Sequence, residues 1–165
     1  FYPGSSIGNF EPAEALGFLR GLRRVLAPRG ALLVGVDLKK DPAILHAAYN
    51  DVQGVTAAFN LNLLARIRAE LDTDLNPRAF EHYAFYNRAQ GRVEMHLVSA
   101  MPQSIWLEGE RFHFAPGETI HTECSYKYDV DEFQRLAAAA GYRPEAVWTD
   151  PERLFSVHYL TADVA

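Results

Sequence analysis

Residues Ala31-Leu32-Leu33-Val34-Gly35-Val36-Asp37-Leu38 form an apolar run broken only by Asp37 near its end. A strand covered on both faces reads this way, whereas a strand with one wet face alternates. The run follows Pro28-Arg29-Gly30, which stops a helix opening at Glu11-Pro12-Ala13-Glu14, with Pro early and acidic residues in the first turn. Phe18, Leu19, Leu22, Val25 and Leu26 recur at helical spacing, and Arg20, Arg23 and Arg24 mark its wet face and positive end. Ahead of it, Phe1-Tyr2-Pro3-Gly4-Ser5-Ser6 reads as a strand end running into a glycine turn, so the start is expected to be internal to a longer protein. Strand end, turn, helix and buried strand predict a piece of a doubly wound α/β parallel sheet.

The pattern then breaks. Pro42 to about Asn50 and Val55 to about Leu71 read as two helices, and Arg92 to Ser99 alternates as a strand. Ile105–Leu107 and Arg111–Phe114 flank Glu108-Gly109-Glu110, a hairpin signal. These pieces predict an α+β insertion. The doubly wound pattern resumes at Asp129, an N-cap with Glu132 at capping-box spacing. Phe133, Leu136, Ala137 and Ala140 form an apolar stripe and Gly141 ends the helix. Ala146–Thr149 and Phe155–Thr161 around Asp150-Pro151-Glu152-Arg153 predict a closing strand pair.

Composition narrows the function classes. With 48% hydrophobic residues among 165, the chain has material for a core. A net charge of -5 argues against a nucleic-acid partner, which favours a basic stripe. A single cysteine, Cys124, fits a reducing cytoplasm, and no apolar run reaches the ~20 residues of a membrane helix.

Four stretches carry polar groups that a plain core does not need. Gly4-Ser5-Ser6-Ile7-Gly8-Asn9 lies where an α/β sheet places its ligand crevice, or is an ordinary turn with Asn9 as a cap. It is not a dinucleotide fingerprint. Tyr49-Asn50-Asp51 with Val55 to Asn62 interleaves Asn and aromatic residues, as a polar pocket or a half-buried face would. Glu94 to Ser99 places Met95 in a strand, by default as packing. Gly117 to Tyr128 is too polar for a core strand and too rich in Thr and Tyr for a flexible loop. Within it His121, Glu123 and Cys124 match no zinc spacing, and no metal is expected.

Gly4–Phe10, Gly35–Asp41, Ala48–Asn50, Val55–Asn62, Met95–Ser99 and Thr122–Tyr128 occur in one order. In that order they resemble the histidine-specific, S-adenosylmethionine-dependent Nα-methyltransferases of ergothioneine biosynthesis. The resemblance covers the C-terminal part of such an enzyme and implies a Rossmann-like class I methyltransferase core with an inserted α+β substrate-binding lobe. Residues 1–39 and 129–165 would belong to the core and 40–128 to the lobe.

The resemblance implies that Asn9 and Tyr49 hold the backbone groups of L-histidine, that Glu123, Cys124 and Ser125 recognise the imidazole, and that Met95 contacts the ring. Gly4 and Ser5 are expected on the cofactor side, while the glycine-rich adenosylmethionine loop and the ribose-binding acid would lie upstream of Phe1. Ser6 stands where Thr is common in the family and Cys124 where Asn is common, which leaves open a related methyltransferase for another amino acid or amine. A non-catalytic lobe fragment is the third alternative. No side chain is assigned to catalysis, because in-line methyl transfer needs mainly a neutral amine and alignment.

Overall fold

In the computed structural model, which describes residues 1–162, the chain order is α1 (Pro12–Leu26), β1 (Ala31–Asp37), α2 (Pro42–Tyr49), α3 (Val55–Glu70), β2 (Phe80–Asn87), β3 (Arg92–Ser99), β4 (Gln103–Leu107), β5 (Glu110–Phe114), β6 (Thr119–Tyr126), α4 (Val130–Ala139), β7 (Arg143–Thr149) and β8 (Phe155–Thr161). Short 3-10 turns cover Ser6–Asn9 and Pro77–Ala79. The backbone forms two units. Of the described residues, one comprises 1–40, 87–92 and 124–162, the other 41–86 and 93–123. The turn 87–92 and residues 124–128, expected in the inserted lobe, therefore group with the first unit.

In the first unit the apolar run is β1, with Leu32, Val34 and Val36 buried. Its pairing differs from the expectation of a parallel sheet. β1 pairs antiparallel with β8 along its whole length, from Ala31 opposite Thr161 to Asp37 opposite Phe155, and β8 pairs antiparallel with β7. The tight turn Asp150–Arg153 reverses the chain, so the closing strand must run against its neighbour. Among the described residues, parallel pairing touches this sheet only as bridges, Tyr2 to Val34 and Leu38 to Tyr128. β7 begins at Arg143, three residues before the expected Ala146, because a register irregularity between Pro144 and Ala146 breaks the alternation there.

Helices α1 and α4 start on capping boxes, Glu11 with Glu14 and Asp129 with Glu132. The helix cap is thus made by Glu11, and Asn9 is left to the turn before it. Leu19, Phe133, Ala137 and Leu160 meet in the core with the β1 residues. Arg20 and Arg23 do more than solvate a wet face. They donate to the carbonyls of Ala139 and Gly141 at 3.3 and 2.7 Å, satisfying the C-terminal end of α4.

In the second unit β2, β3 and β6 form a sheet in that order, and β4 and β5 form the expected hairpin. Leu64, Leu75, Phe80, Leu97 and Ile105 make its core. Asp51 holds the start of α3 by accepting from the backbone N–H groups of Val55 and Thr56, both at 2.9 Å. These bonds pull its carboxyl down to about 2. The stretch 117–128, expected to be too polar for a core strand, is largely β6. Its first residues stay exposed or half exposed, and burial begins at Ser125 and runs through Tyr128. No helix among the described residues is long and apolar enough to cross a membrane.

Candidate functional site

In the first unit, polar groups gather at the carboxyl end of β1, where open α/β sheets present ligands. Gly4 and Ser5 both adopt the left-handed region, with φ of 70° and 58°. That is strained for a serine, and Ser5 is nonetheless buried. Its hydroxyl accepts the backbone N–H of Asp37 at 2.8 Å, tying the loop to the end of β1. The following turn lies against the end of β6. A Cβ on Gly8 would stand 2.6 Å from the Tyr126 carbonyl oxygen, so only glycine fits there. The Cys124 thiol donates to the Asn9 carbonyl at 3.7 Å. Asn9, Cys124 and Ser125 are thus carried by a turn and a strand end in direct contact.

Beneath them lies a buried charge. The Lys127 ammonium sits 2.7 Å from the Asp37 carboxylate and 2.8 Å from the Ser125 hydroxyl, and Lys40 pairs with the other oxygen of Asp37. Lys39 is engaged with Asp129 and Glu132.

In the second unit, Glu123 lines a cavity of about 230 Å³ together with Phe59, Asn60, Asn62, Leu63, Arg66 and Thr122. Asn60, almost wholly buried, organises its wall. Its amide donates to the His96 carbonyl at 3.1 Å and to His82 Nδ1 at 3.0 Å, while its oxygen accepts from the Thr122 hydroxyl at 2.7 Å. His82 Nε2 then donates to the Tyr49 carbonyl at 2.9 Å. The network is self-consistent only with the proton of His82 on Nε2. It links the end of α2, where Tyr49 sits, to α3, β2 and β6. Met95 is buried in β3, and the Thr122 hydroxyl lies 3.0 Å from its carbonyl.

Of the residues expected to hold a ligand, Gly4, Ser5, Asn9, Cys124 and Ser125 fall in the first unit and Tyr49, Met95 and Glu123 in the second. Asp37, Lys127, His82 and Thr122 support them; Thr122 and Lys127 lay within the polar stretch 117–128 and Asp37 within Gly35–Asp41 with no role given to any of them, and His82 was not singled out from sequence. Phe59 and Asn60 lay within the stretch read as a polar pocket or half-buried face, and both line the cavity.

His121 does not group with Glu123 and Cys124 as potential ligands. Among the described residues, ligand atoms of Glu94, His96 and His121 come within 4.8 Å of one another. The His96 and His121 rings, however, stack with centroids 4.7 Å apart and planes 13° from parallel. Lone pairs in the planes of stacked rings do not converge on one ion, so this is an aromatic stack beside a carboxylate.

The fold is that of an α/β methyltransferase. The structure of the CcbJ methyltransferase from Streptomyces caelestis matches with a TM-score of 0.51 at 12% identity, over 98% of this chain and 55% of that one. The chain belongs to the family described as histidine-specific methyltransferase, SAM-dependent, whose model matches residues 1–162. It is 42% identical over 150 residues to the histidine N-alpha-methyltransferase of Mycolicibacterium smegmatis, covering 90% of this chain and 47% of that protein. It is 35% identical over 152 residues to ergothioneine biosynthesis protein 1 of Neurospora crassa, covering 88% of this chain and 17% of that protein. The chain therefore spans about half the length of the bacterial relative or less of the fungal one.

Proposed function

We propose that the protein carrying this chain transfers methyl groups from S-adenosylmethionine to the α-amine of L-histidine, giving hercynine on the way to ergothioneine in the cytoplasm. The observation that carries the reading is the contact of the Ser6–Asn9 turn with the end of β6. It brings Asn9, read as holding the amino-acid backbone, to the strand end that carries Cys124 and Ser125, read as recognising the side chain. Membership of a histidine-specific family supports the substrate.

The cofactor fits this chain on one side. The left-handed Gly4–Ser5 turn is tied to the carboxyl end of β1, with the Ser5 hydroxyl taken up by the Asp37 N–H. Bound S-adenosylmethionine would supply an electrophilic methyl group there, with the rest of its cradle contributed from outside the chain. What these residues must do is align a neutral amine. In a free amino acid the ammonium form dominates near neutral pH, so the bound α-amine has to lose a proton before transfer. Asn9 and the Tyr49 hydroxyl orient the amino-acid end without adding charge. Glu123 accepts the imidazole N–H, a bond that an apolar amino acid cannot supply, which penalises the wrong substrate.

Glu123→Gln tests the reading by calorimetric titration of the full-length protein. A charge-assisted hydrogen bond is worth about 1.5–3 kcal/mol, so histidine affinity should fall on the order of tenfold to a hundredfold while S-adenosylmethionine binding holds. Unchanged histidine affinity, or equal loss for both ligands, would remove Glu123 from the site.

A further inference from the structure

Tyr49 is the last residue of α2, a helix of eight residues. Helices this short are marginal alone, and their ends leave carbonyls without intrahelical partners and fray. Here side chains take up those carbonyls. The Asn50 amide reaches back to the His46 carbonyl at 3.2 Å and across to that of Ala84 on β2 at 3.1 Å. The Thr56 hydroxyl, in the first turn of α3, donates to the Ala48 carbonyl at 3.3 Å. His82 of β2 donates from Nε2 to the Tyr49 carbonyl at 2.9 Å.

Behind His82 the bonds continue to Asn60, 3% exposed, and from its oxygen to the Thr122 hydroxyl, next to Glu123 on β6. A carbonyl only accepts, so the His96 carbonyl fixes which end of the Asn60 amide faces it, and the Tyr49 carbonyl fixes the His82 proton on Nε2. All of these residues belong to the second unit.

We propose that His82, held by Asn60, is a positioning residue for the substrate site. It keeps the end of α2 from fraying and so presents the Tyr49 side chain at a fixed distance from Glu123 before the amino acid arrives. The inference deepens the functional reading and rests on it, since it takes Tyr49 and Glu123 as contacts to the two ends of L-histidine. Such preorganisation raises affinity because the ordering is complete before the ligand binds.

Calorimetric titration of the full-length protein with L-histidine and, separately, with S-adenosylmethionine tests it. Tyr49→Phe removes the hydroxyl. His82→Phe keeps a ring in place and removes the donor to the Tyr49 carbonyl. Each should lower histidine affinity by about threefold to tenfold, the worth of one neutral hydrogen bond, and leave S-adenosylmethionine affinity unchanged. Their combination is decisive. A residue that acts through Tyr49 has nothing left to position once the hydroxyl is gone. Adding His82→Phe to Tyr49→Phe should therefore change histidine affinity by less than about twofold. His82→Gln, whose amide nitrogen can donate in place of Nε2, should restore most of what His82→Phe loses, which a pure loss of packing would not allow.

Full additivity of the two Phe variants, an equal loss for S-adenosylmethionine, wild-type histidine affinity in His82→Phe, or no rescue by His82→Gln would each overturn the inference. Should His82→Phe fail to fold, Thr122→Val, which cuts the same chain of bonds at β6, decides by the same comparison with and without Tyr49→Phe. A Tyr49→Phe variant with wild-type histidine affinity would instead remove Tyr49 from the site, and with it the functional reading on which the inference stands.

Discussion

The two units hold their polar groups by opposite means. In the first, a full ammonium and a carboxylate are taken out of water together, with Lys127, Asp37 and Lys40 joined at the end of β1. In the second, a neutral chain from Thr122 through Asn60 and His82 reaches the Tyr49 carbonyl. A buried ion pair cannot reverse its polarity, so it imposes one arrangement and is costly to break. A neutral amide and imidazole set one another's orientation. They cost less to remove and can re-pair.

The largest expected effect follows from breaking the ionic arrangement. Asp37→Ala leaves the Lys127 ammonium buried without its carboxylate, a change that costs about 3–5 kcal/mol in comparable buried pairs. Native-state hydrogen exchange resolves the two units separately. Protection at Val34 and Val36 should fall accordingly, while that at Leu97 holds. A loss spread equally over both units would mean that the pair does not act locally.

Acid should sharpen the same contrast. His158 is fully buried in the first unit, 4.8 Å from the Phe133 ring. The Ser156 hydroxyl donates to the Val36 carbonyl and so accepts from His158 Nε2, leaving Nδ1 as a buried acceptor with no partner among the described groups. Burial pushes its pKa down to about 4. The unfolded ring binds its proton near 6.5 and the folded one only near 4, so the stabilisation is complete above 6.5 and is lost as pH falls toward 4. Its size is about 3 kcal/mol by that difference. Asp51 in the second unit, held at about 2, begins to lose its contribution only below its ordinary value of 3.8. Between pH 6.5 and 4, exchange protection should therefore drop in β1 and not in β3, and His158→Leu should abolish the difference.

Legibility in the sequence followed how local the cause was. The early Pro and acidic first turn at Glu11–Glu14, the capping-box spacing at Asp129, the Glu108-Gly109-Glu110 turn and the alternation of Arg92–Ser99 are short-range signals, and the elements they predict are present. β2 escaped notice because aromatic groups lie on both of its faces. Phe80 is buried in the core, while Tyr83 and Phe85 stack on each other and Phe85 on His96, which erases the alternation. Arg20 and Arg23 looked like a solvated face because their partners lie more than 100 residues away. The Asp37–Lys127 and Asn60–His82 pairs were hidden because each joins different elements of the chain, so no local spacing announces them. The residues expected to touch substrate were legible through family resemblance; their supports became visible only in three dimensions.

The smallest effect tests the neutral network and the comparison itself. Asn60→Ala strips the amide that serves the His96 carbonyl, His82 Nδ1 and the Thr122 hydroxyl. Leaving buried partners unsatisfied costs about 1–3 kcal/mol, below the cost expected at Asp37 because no net charge is stranded. Protection at Leu97 should fall while Val34 and Val36 stay unchanged. The coupling of Asn60 to His82 is separable from simple loss of packing by a double-mutant cycle with His82→Phe, whose interaction energy should lie within about 0.5–3 kcal/mol. A cycle that closes at zero would make the two residues independent packing units. Tyr49 would then owe its place to α2 alone, and the second unit would have no network to set against the ion pair of the first.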